Sequence, residues 1–434
     1  MTDRELASHV VAGGRLRALV LELWQRTRMD WGFVTERLAV AFRKEKWLGA
    51  HERRFVGETL YGLVRHLRRV DFAIALGRKP KQSPRDLERL LALLVLDKLI
   101  EPAAAARAVP ELDWAAVAAG DDAIARVRDT TERIALACSL PDWLAARLVA
   151  DGGSDAEALA RALDERAPMT VRANLLVVAS RDELALPLAS HPGAWCDTAV
   201  IVDDRANLFS LEAFQRGAFE AQDEGSQLLA DLVVACARRD KPVIVDYCAG
   251  AGGKTLAIAA RLGNRGRVIA TDIDDGKLAE LRRRARRAHV TNAQAMLVDD
   301  RSLDAMHGKA DVVFVDAPCT GTGALRRNPE ARWRLRESDV ATFAARQREI
   351  LRRAAPLCAP DGRIVYATCS VLRAENKDIV AGRPLVPLAD VLGADRAAAL
   401  GRGDCFTVTP HRHGTDGFFA AVFQNGTAVS HGET

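Results

Sequence analysis

Apolar residues in the first 140 positions recur at spacings of three and four. Between Phe55 and Ile74 the stripe runs Val56, Leu60, Leu63, Leu67, Val70, Ile74. That spacing gathers side chains on one face of an α-helix. Arg65, Arg68 and Arg69 fall off the stripe. A second strongly apolar helix is predicted over Asp86 to Ile100, with Ser83-Pro84 as its start signal. Acids and histidines are scattered here and form no catalytic constellation, so residues 1–140 read as a helical bundle with a basic face.

The pattern changes at Pro141-Asp142-Trp143. Helical periodicity to about Arg166 gives way to an alternating, strand-like run, Met169 to Leu176, with further short runs at 199–202 and 218–222. These predict a small α+β segment over 141–225. Phe219 to Val233 reads as a turn into an amphipathic helix, with Ser226 as its expected cap. From Val243 the order becomes strand, helix, strand, helix. Strands are expected at 243–247, 267–271, 294–298, 311–316 and 363–368, with a final pair near 405–408 and 417–423. Such alternation indicates a doubly wound, mainly parallel α/β domain over 226–434. No internal repeat or long low-complexity segment interrupts the series.

Three of these strands stop abruptly at chemically distinctive residues. Val243 to Thr255 ends in a glycine-rich turn, Asp311 to Gly323 carries Cys319, and Gly362 to Asn376 carries Cys369. In open parallel sheets, ligands bind outside the carboxyl ends of strands, where the strand order reverses. The turn Cys248-Ala249-Gly250-Ala251-Gly252-Gly253-Lys254 fits neither common glycine loop. A P-loop needs glycine with four residues between it and Gly-Lys-Thr, and Cys248 stands there. A dinucleotide fingerprint needs glycine where Thr255 stands. What remains is a tight strand-to-helix turn that lets a ligand approach the backbone closely. Asp272 ends the next strand, about where an acid accepts ribose hydroxyls. Asp299 ends the strand after that, placed to meet an adenine amino group. Each acid alone is more often a cap or a solvated turn; acids at successive strand ends point to a nucleoside cofactor.

Composition narrows the class. Of 434 residues, 49% are hydrophobic and 28% charged, enough for two or three packed domains. No apolar run reaches the roughly 18 residues that span a bilayer, and the N-terminus lacks an apolar signal core. Eight cysteines show no CxxC spacing, so neither a zinc site nor a disulfide framework is expected, and a reducing cytoplasm fits. A net charge of +4 says little. Its distribution says more, with basic clusters at Arg15 to Lys46, at Arg65 to Lys81 and at Arg282 to Arg287. These suit phosphate binding as well as ordinary solvated helix faces.

The segments QDEGSQ, DYCAGAGGKT, DAPCTGTG, YATCS and TPHRHGTDGFF resemble the RsmB/NOP2/SUN family of RNA cytosine-5 methyltransferases, over roughly Pro141 to Phe423. DAPC and TCS together are highly specific. The helical N-terminal part is similar to the NusB-like RNA-binding domain of the bacterial rRNA branch. The resemblance implies S-adenosylmethionine as cofactor, held by Cys248, Ala249, Gly250, Ala251, Gly252, Gly253 and Lys254, and by Asp272, Asp299 and Asp316. It assigns nucleophilic attack to Cys369 and the release step to Cys319, with Asp316 toward the cytosine ring nitrogen and amine and Lys254 holding Asp316. No metal is implied, because the methyl donor is already a sulfonium. The expected substrate is RNA, 16S rRNA first and tRNA as the alternative, acted on by a monomer.

The chemistry explains the two thiols. Carbon 5 of cytosine is a poor nucleophile. A thiolate added to carbon 6 makes it an enamine, and a base must later remove the carbon-5 proton. A thiol with pKa about 8.5 is a few per cent ionised at neutral pH, so activation is needed. Cys138, Cys196, Cys236, Cys358 and Cys405 are expected to be packing residues. His411 and His413 are expected at loop positions beside the substrate groove. A DNA cytosine methyltransferase uses its Pro-Cys thiol to attack and has no need of Cys369. A non-catalytic RNA-binding or assembly factor would not need the intact thiols and acids.

Overall fold

The computed structural model describes residues 1–78, 83–203, 207–298 and 303–425. Asp299, Lys79 and Lys81 lie outside them. The chain forms two compact units, Met1–Arg166 with Leu325–Glu337, and Ala167–Ala324 with Ser338–Thr434.

The first unit is helical. The predicted stripe is carried by two consecutive helices, Ala50–Arg65 and Leu67–Leu76, and buries Val56, Leu60, Leu63, Val70 and Ile74. The helix expected to run to Ile100 spans Asp86–Leu96. Lys98 turns left-handed (φ 56°), and the Leu99 and Ile100 amides both donate to Leu94 O, at 2.9 and 3.3 Å. The apolar period persists through this turn because Ile100 returns to the core. Much of the basic face is internally paired. Arg68 meets Asp142 at 2.6 Å, and Arg69 meets Asp121 at 2.7 Å and Asp97 at 3.0 Å. Arg28 meets Asp86 at 3.1 Å, and Arg78 pairs with Glu88.

Leu325–Glu337 belongs to this unit although it follows the Cys319 loop in sequence. Its Arg332 is fully buried and donates to Asp164 Oδ1 at 2.7 Å and to Cys138 O at 2.8 Å. Trp333 Nε1 donates to Val64 O at 2.8 Å, and its ring packs on Trp31 with centroids 5.6 Å apart.

The second unit contains two sheets. The small one is antiparallel, with β1 (Met169–Ala173), β2 (Ser190–Pro192), β3 (Ala199–Val202) and β4 (Phe219–Ala221) in the order β2-β3-β1-β4. β2 escapes sequence detection because all three of its residues are exposed and so show no apolar alternation. The helix after β4, Glu224–Ala235, is capped by Asp223, whose side chain accepts from the Gly225 amide. Ser226, the expected cap, lies inside the first turn and accepts from Gln222 Nε2 at 3.0 Å.

The large sheet holds β5 (Val243–Asp246), β6 (Arg267–Asp272), β7 (Ala293–Leu297), β8 (Ala310–Asp316), β9 (Cys358–Thr368), β10 (Gly401–Arg402), β11 (Cys405–Val408) and β12 (Phe418–Gln424). Its order is β10-β11-β12-β9-β8-β5-β6-β7. The five strands β9, β8, β5, β6 and β7 are parallel; β12 adds antiparallel to β9, β11 antiparallel to β12 and β10 antiparallel to β11. Side chains alternate between two cores, Val312 and Phe314 on one face with Leu229 and Ile258, Val313 and Val315 on the other with Leu351 and Tyr366. Burial on both faces is why these strands read as continuous apolar runs. The sheet's direction of growth reverses at β5, between β6 and β8, so the crevice beyond its carboxyl end is the expected ligand position.

Candidate active site

β5 delivers the glycine turn to that crevice. Gly250 (φ 55°) and Gly252 (φ 85°) are left-handed, a region where a side chain is strained. The turn is fastened by Ala249 N to Thr271 O at 2.9 Å and by Arg284, which donates to Ala251 O at 2.8 Å. Arg284 and Arg287 also pair with Glu220 of β4. Two arginines of the 282–287 cluster therefore serve the fold. Asp272, ending β6, accepts from the Gly250 amide at 2.9 Å and from the Asp274 amide at 3.0 Å.

Gln222, Ser226, Asp246, Cys248, Ala249, Gly253, Lys254 and Asp316 line one pocket. Asp246 is buried. Its Oδ2 accepts from Thr255 Oγ1 at 2.6 Å, while its Oδ1 is buried with no hydrogen-bond partner among the described residues. Burial pushes this carboxyl up to about 7, helped by the charge of Asp316 and opposed by the Thr255 hydroxyl. Two carboxyls against the single ammonium of Lys254 suit a ligand with a cationic centre. The open glycine turn, where a Cβ at Gly250 or Gly253 would meet nothing within 4 Å, suits a ligand lying on the backbone. These residues fit a sulfonium nucleoside.

Lys254 Nζ meets Asp316 Oδ2 at 2.6 Å and lies 5.4 Å from the Phe418 ring centroid. Burial alone would lower this ammonium, but the Asp316 charge outweighs it and holds Lys254 above its ordinary value. Beyond Asp316, the β8 and β9 ends bring Cys319 and Cys369 together, Sγ to Sγ 3.4 Å. Both are partly exposed. The hydrogen bond shared with Cys319 lowers Cys369 below the ordinary thiol value, with Lys254 assisting against burial and Asp316. That same bond, then burial, raises Cys319 well above it. These opposite directions favour Cys369 as the thiolate of the pair.

The other cysteines behave differently. Cys138, Cys196, Cys236, Cys358 and Cys405 are buried. Desolvation pushes Cys138, Cys236 and Cys358 up to about 12. Cys248 is also raised, by burial first, so it contributes shape to the turn rather than a reactive sulfur. His413 lies in the helix Pro410–His413, where Nδ1 accepts from the Thr409 amide at 3.0 Å and the ring packs on Trp195 at 5.2 Å. Its contacts are those of a packing residue. Four participants escaped sequence reasoning. Asp246 is hidden in an apolar strand, Gln347 in an ordinary helix, and Asp416, whose charge raises Cys369, in a loop. Glu375 stands beside Asn376 shortly after the TCS motif, a position that could have drawn notice.

Residues 233–424 match the family model described as 16S rRNA methyltransferase RsmB/F, and residues 140–207 match the RsmF/B-like ferredoxin-like domain. A Mycobacterium tuberculosis protein with the provisional name of methyltransferase is 38% identical over 295 residues, 65% of this chain and 63% of its own. The chain therefore spans somewhat less than two thirds of that relative's length. The Bacillus subtilis protein named "Probable ribosomal RNA small subunit methyltransferase B" is 30% identical over 309 residues, 68% of each chain. Among solved structures, PH0851 superposes with a TM-score of 0.71 over 97% of this chain and 98% of its own, at 22% identity, a likeness of fold.

Proposed function

This chain belongs to the RsmB/F methyltransferase family, and on that premise we propose that it methylates carbon 5 of a cytosine in RNA, with 16S rRNA as substrate and S-adenosylmethionine as donor. The observation that carries the reading is the thiol pair, 3.4 Å apart, beside the Lys254–Asp316 ion pair at the carboxyl edge of the sheet. Cys248 to Lys254, Asp272, Asp299 and Asp316 hold the cofactor, which supplies an electrophilic methyl group when bound. The helices of residues 1–140 bind RNA, 141–225 position it, and 226–434 carry the chemistry, acting as a cytoplasmic monomer.

Cys369, the thiol held below its ordinary value, forms a bond to cytosine carbon 6, and the ring electrons make carbon 5 nucleophilic. The ring nitrogen takes up a proton as the sulfur adds, and Asp316, held by Lys254, accepts from that N–H and from the amine, stabilising the protonated, charge-shifted ring, an electrostatic role fixed in advance. Once the Cys369 sulfur is bound to carbon, Cys319 loses the charged acceptor that raised it. Once carbon 5 carries the transferred methyl group, Cys319 can give its proton to solvent and take the proton of carbon 5. The carbon–sulfur bond breaks and Cys369 leaves as thiolate.

Two measurements test this. Bisulfite sequencing of total RNA from a deletion strain should lose one methylated cytosine in 16S rRNA; loss in tRNA alone would reassign the substrate. Cys319→Ala should accumulate a covalent protein–RNA adduct, a slow band on a denaturing gel, that Cys369→Ala and the double variant lack. The inverse pattern would make Cys319 the attacking thiol.

A further inference from the structure

The two thiol loops share a buried carboxylate that the chemistry above does not use. Glu375 is fully buried. Its Oε1 accepts from the Thr320 amide at 2.9 Å and from Gln347 Nε2 at 3.0 Å. Its Oε2 accepts from the Thr320 and Ser370 hydroxyls, each at 2.5 Å. Thr320 follows Cys319 and Ser370 follows Cys369, so one carboxylate grips the residue next to each thiol. The clamp is itself fixed. Gln347 Nε2 also donates to Pro318 O at 3.0 Å, on the other side of Cys319. Tyr366 Oη donates to Glu375 O at 2.6 Å, and Asn376 Nδ2 to Ser370 O at 2.8 Å.

Stability alone does not account for this arrangement. Burying an ionised carboxylate costs several kcal/mol, and apolar packing of equal volume is often at least as stable. What the cluster does that apolar packing could not is tie two strand ends together through directional bonds. Four donors on one carboxylate fix both loops against a common point, and hydrogen bonds lose strength steeply when misaligned.

We propose that Glu375 is a positioning residue for the thiol pair, holding the Cys319 and Cys369 loops so that the sulfurs are in contact before RNA arrives. The role assigned to that contact rests on the function proposed above. Glu375 also places a fixed negative charge near Cys319, among the causes that keep that thiol protonated.

The test reads thiol geometry apart from turnover. In the full-length protein, diamide should convert Cys319 and Cys369 to a disulfide, scored by peptide mapping. Glu375→Ala should slow that trapping at least tenfold. It should also cut the methyl-transfer rate by about 100-fold, the loss expected from an ångström of misplacement, with S-adenosylmethionine affinity within about twofold of wild type. Glu375→Gln keeps the shape, and the two hydroxyls can rotate to accept from its amide, so it should restore trapping to within about threefold of wild type. Ser370→Ala cuts one arm and should slow trapping by a smaller factor, which covers the case in which Glu375→Ala does not fold. Wild-type trapping rates in folded Glu375→Ala or in Ser370→Ala would overturn the clamp. If wild-type protein methylates no RNA while Glu375→Ala still slows trapping, the clamp stands and the RNA reading fails.

Discussion

Asp246 gives the site a pH signature that can be worked out at the scale of one residue. Its carboxyl moves from an ordinary 3.8 to about 7 in the folded chain, chiefly through burial. The folded state therefore binds this proton more tightly than the unfolded state. The associated stability is fully present below about pH 4, falls as pH rises toward 7, and is gone above it. A shift of this size corresponds to roughly 4 kcal/mol, at about 1.4 kcal/mol per pKa unit. Denaturant unfolding of wild type and Asp246→Asn at pH 5 and pH 8 should show wild type losing stability relative to the variant by about 2–3 kcal/mol. Parallel pH dependences would remove Asp246 as the titrating group. A cationic ligand should show the opposite trend, binding more tightly as Asp246 ionises.

At the scale of elements, the site depends on how closely three loops meet beyond β8, β9 and β12. The Gly323 amide donates to Cys369 O at 2.9 Å, and the Gly417 amide donates to Gly323 O at 2.9 Å. A Cβ at Gly323 would lie 2.2 Å from Gly417 O and 2.8 Å from Cys369 O. Both obstacles are backbone, so neither can rotate away. Gly323→Ala should destabilise the chain by about 1–3 kcal/mol, the range for overpacking, and should slow alkylation of Cys369 at neutral pH by moving it off Cys319. A variant that unfolds and alkylates like wild type would show that these loops have room to shift. Most strands of the large sheet were legible because two-sided burial writes long apolar runs. β10, two residues long, left no such mark.

At the scale of the whole molecule, Arg332 shows what chain order conceals. It lies beyond the Cys319 loop yet is buried among the N-terminal helices, paired with Asp164 at 2.7 Å. Burial alone would raise Asp164, but Arg332 and then His66 more than offset this and hold it below the ordinary carboxylate value. Arg332→Met should remove the 2.7 Å partner of buried Asp164, leaving His66 3.2 Å away, and cost about 3–5 kcal/mol, as expected for one half of a broken buried pair. Denaturant unfolding of the full chain measures this, and a loss under about 1 kcal/mol would mean that water reaches Asp164. The same packing warns against removing residues 1–140 to test RNA binding. The cut would take away Val64 O and Cys138 O, which accept from Trp333 and Arg332.

The sequence by itself determined the order of the main elements, though not β2 or β10, the helical and α/β halves, and the strand ends that carry the glycine turn, Cys319 and Cys369. Apolar periodicity and abrupt polar stops are local, and a one-dimensional pattern records them. Tertiary structure alone brought the two sulfurs within 3.4 Å across fifty residues of chain and set Lys254 against Cys369 and Glu375 against Cys319, charges that lower the one thiol and raise the other. It also decided that Asp246 keeps an oxygen with no hydrogen-bond partner among the described residues, that Glu375 joins two loops, and that much of the basic face is spent on internal ion pairs. Burial and pairing are properties of neighbours in space, and a sequence lists only neighbours along the chain.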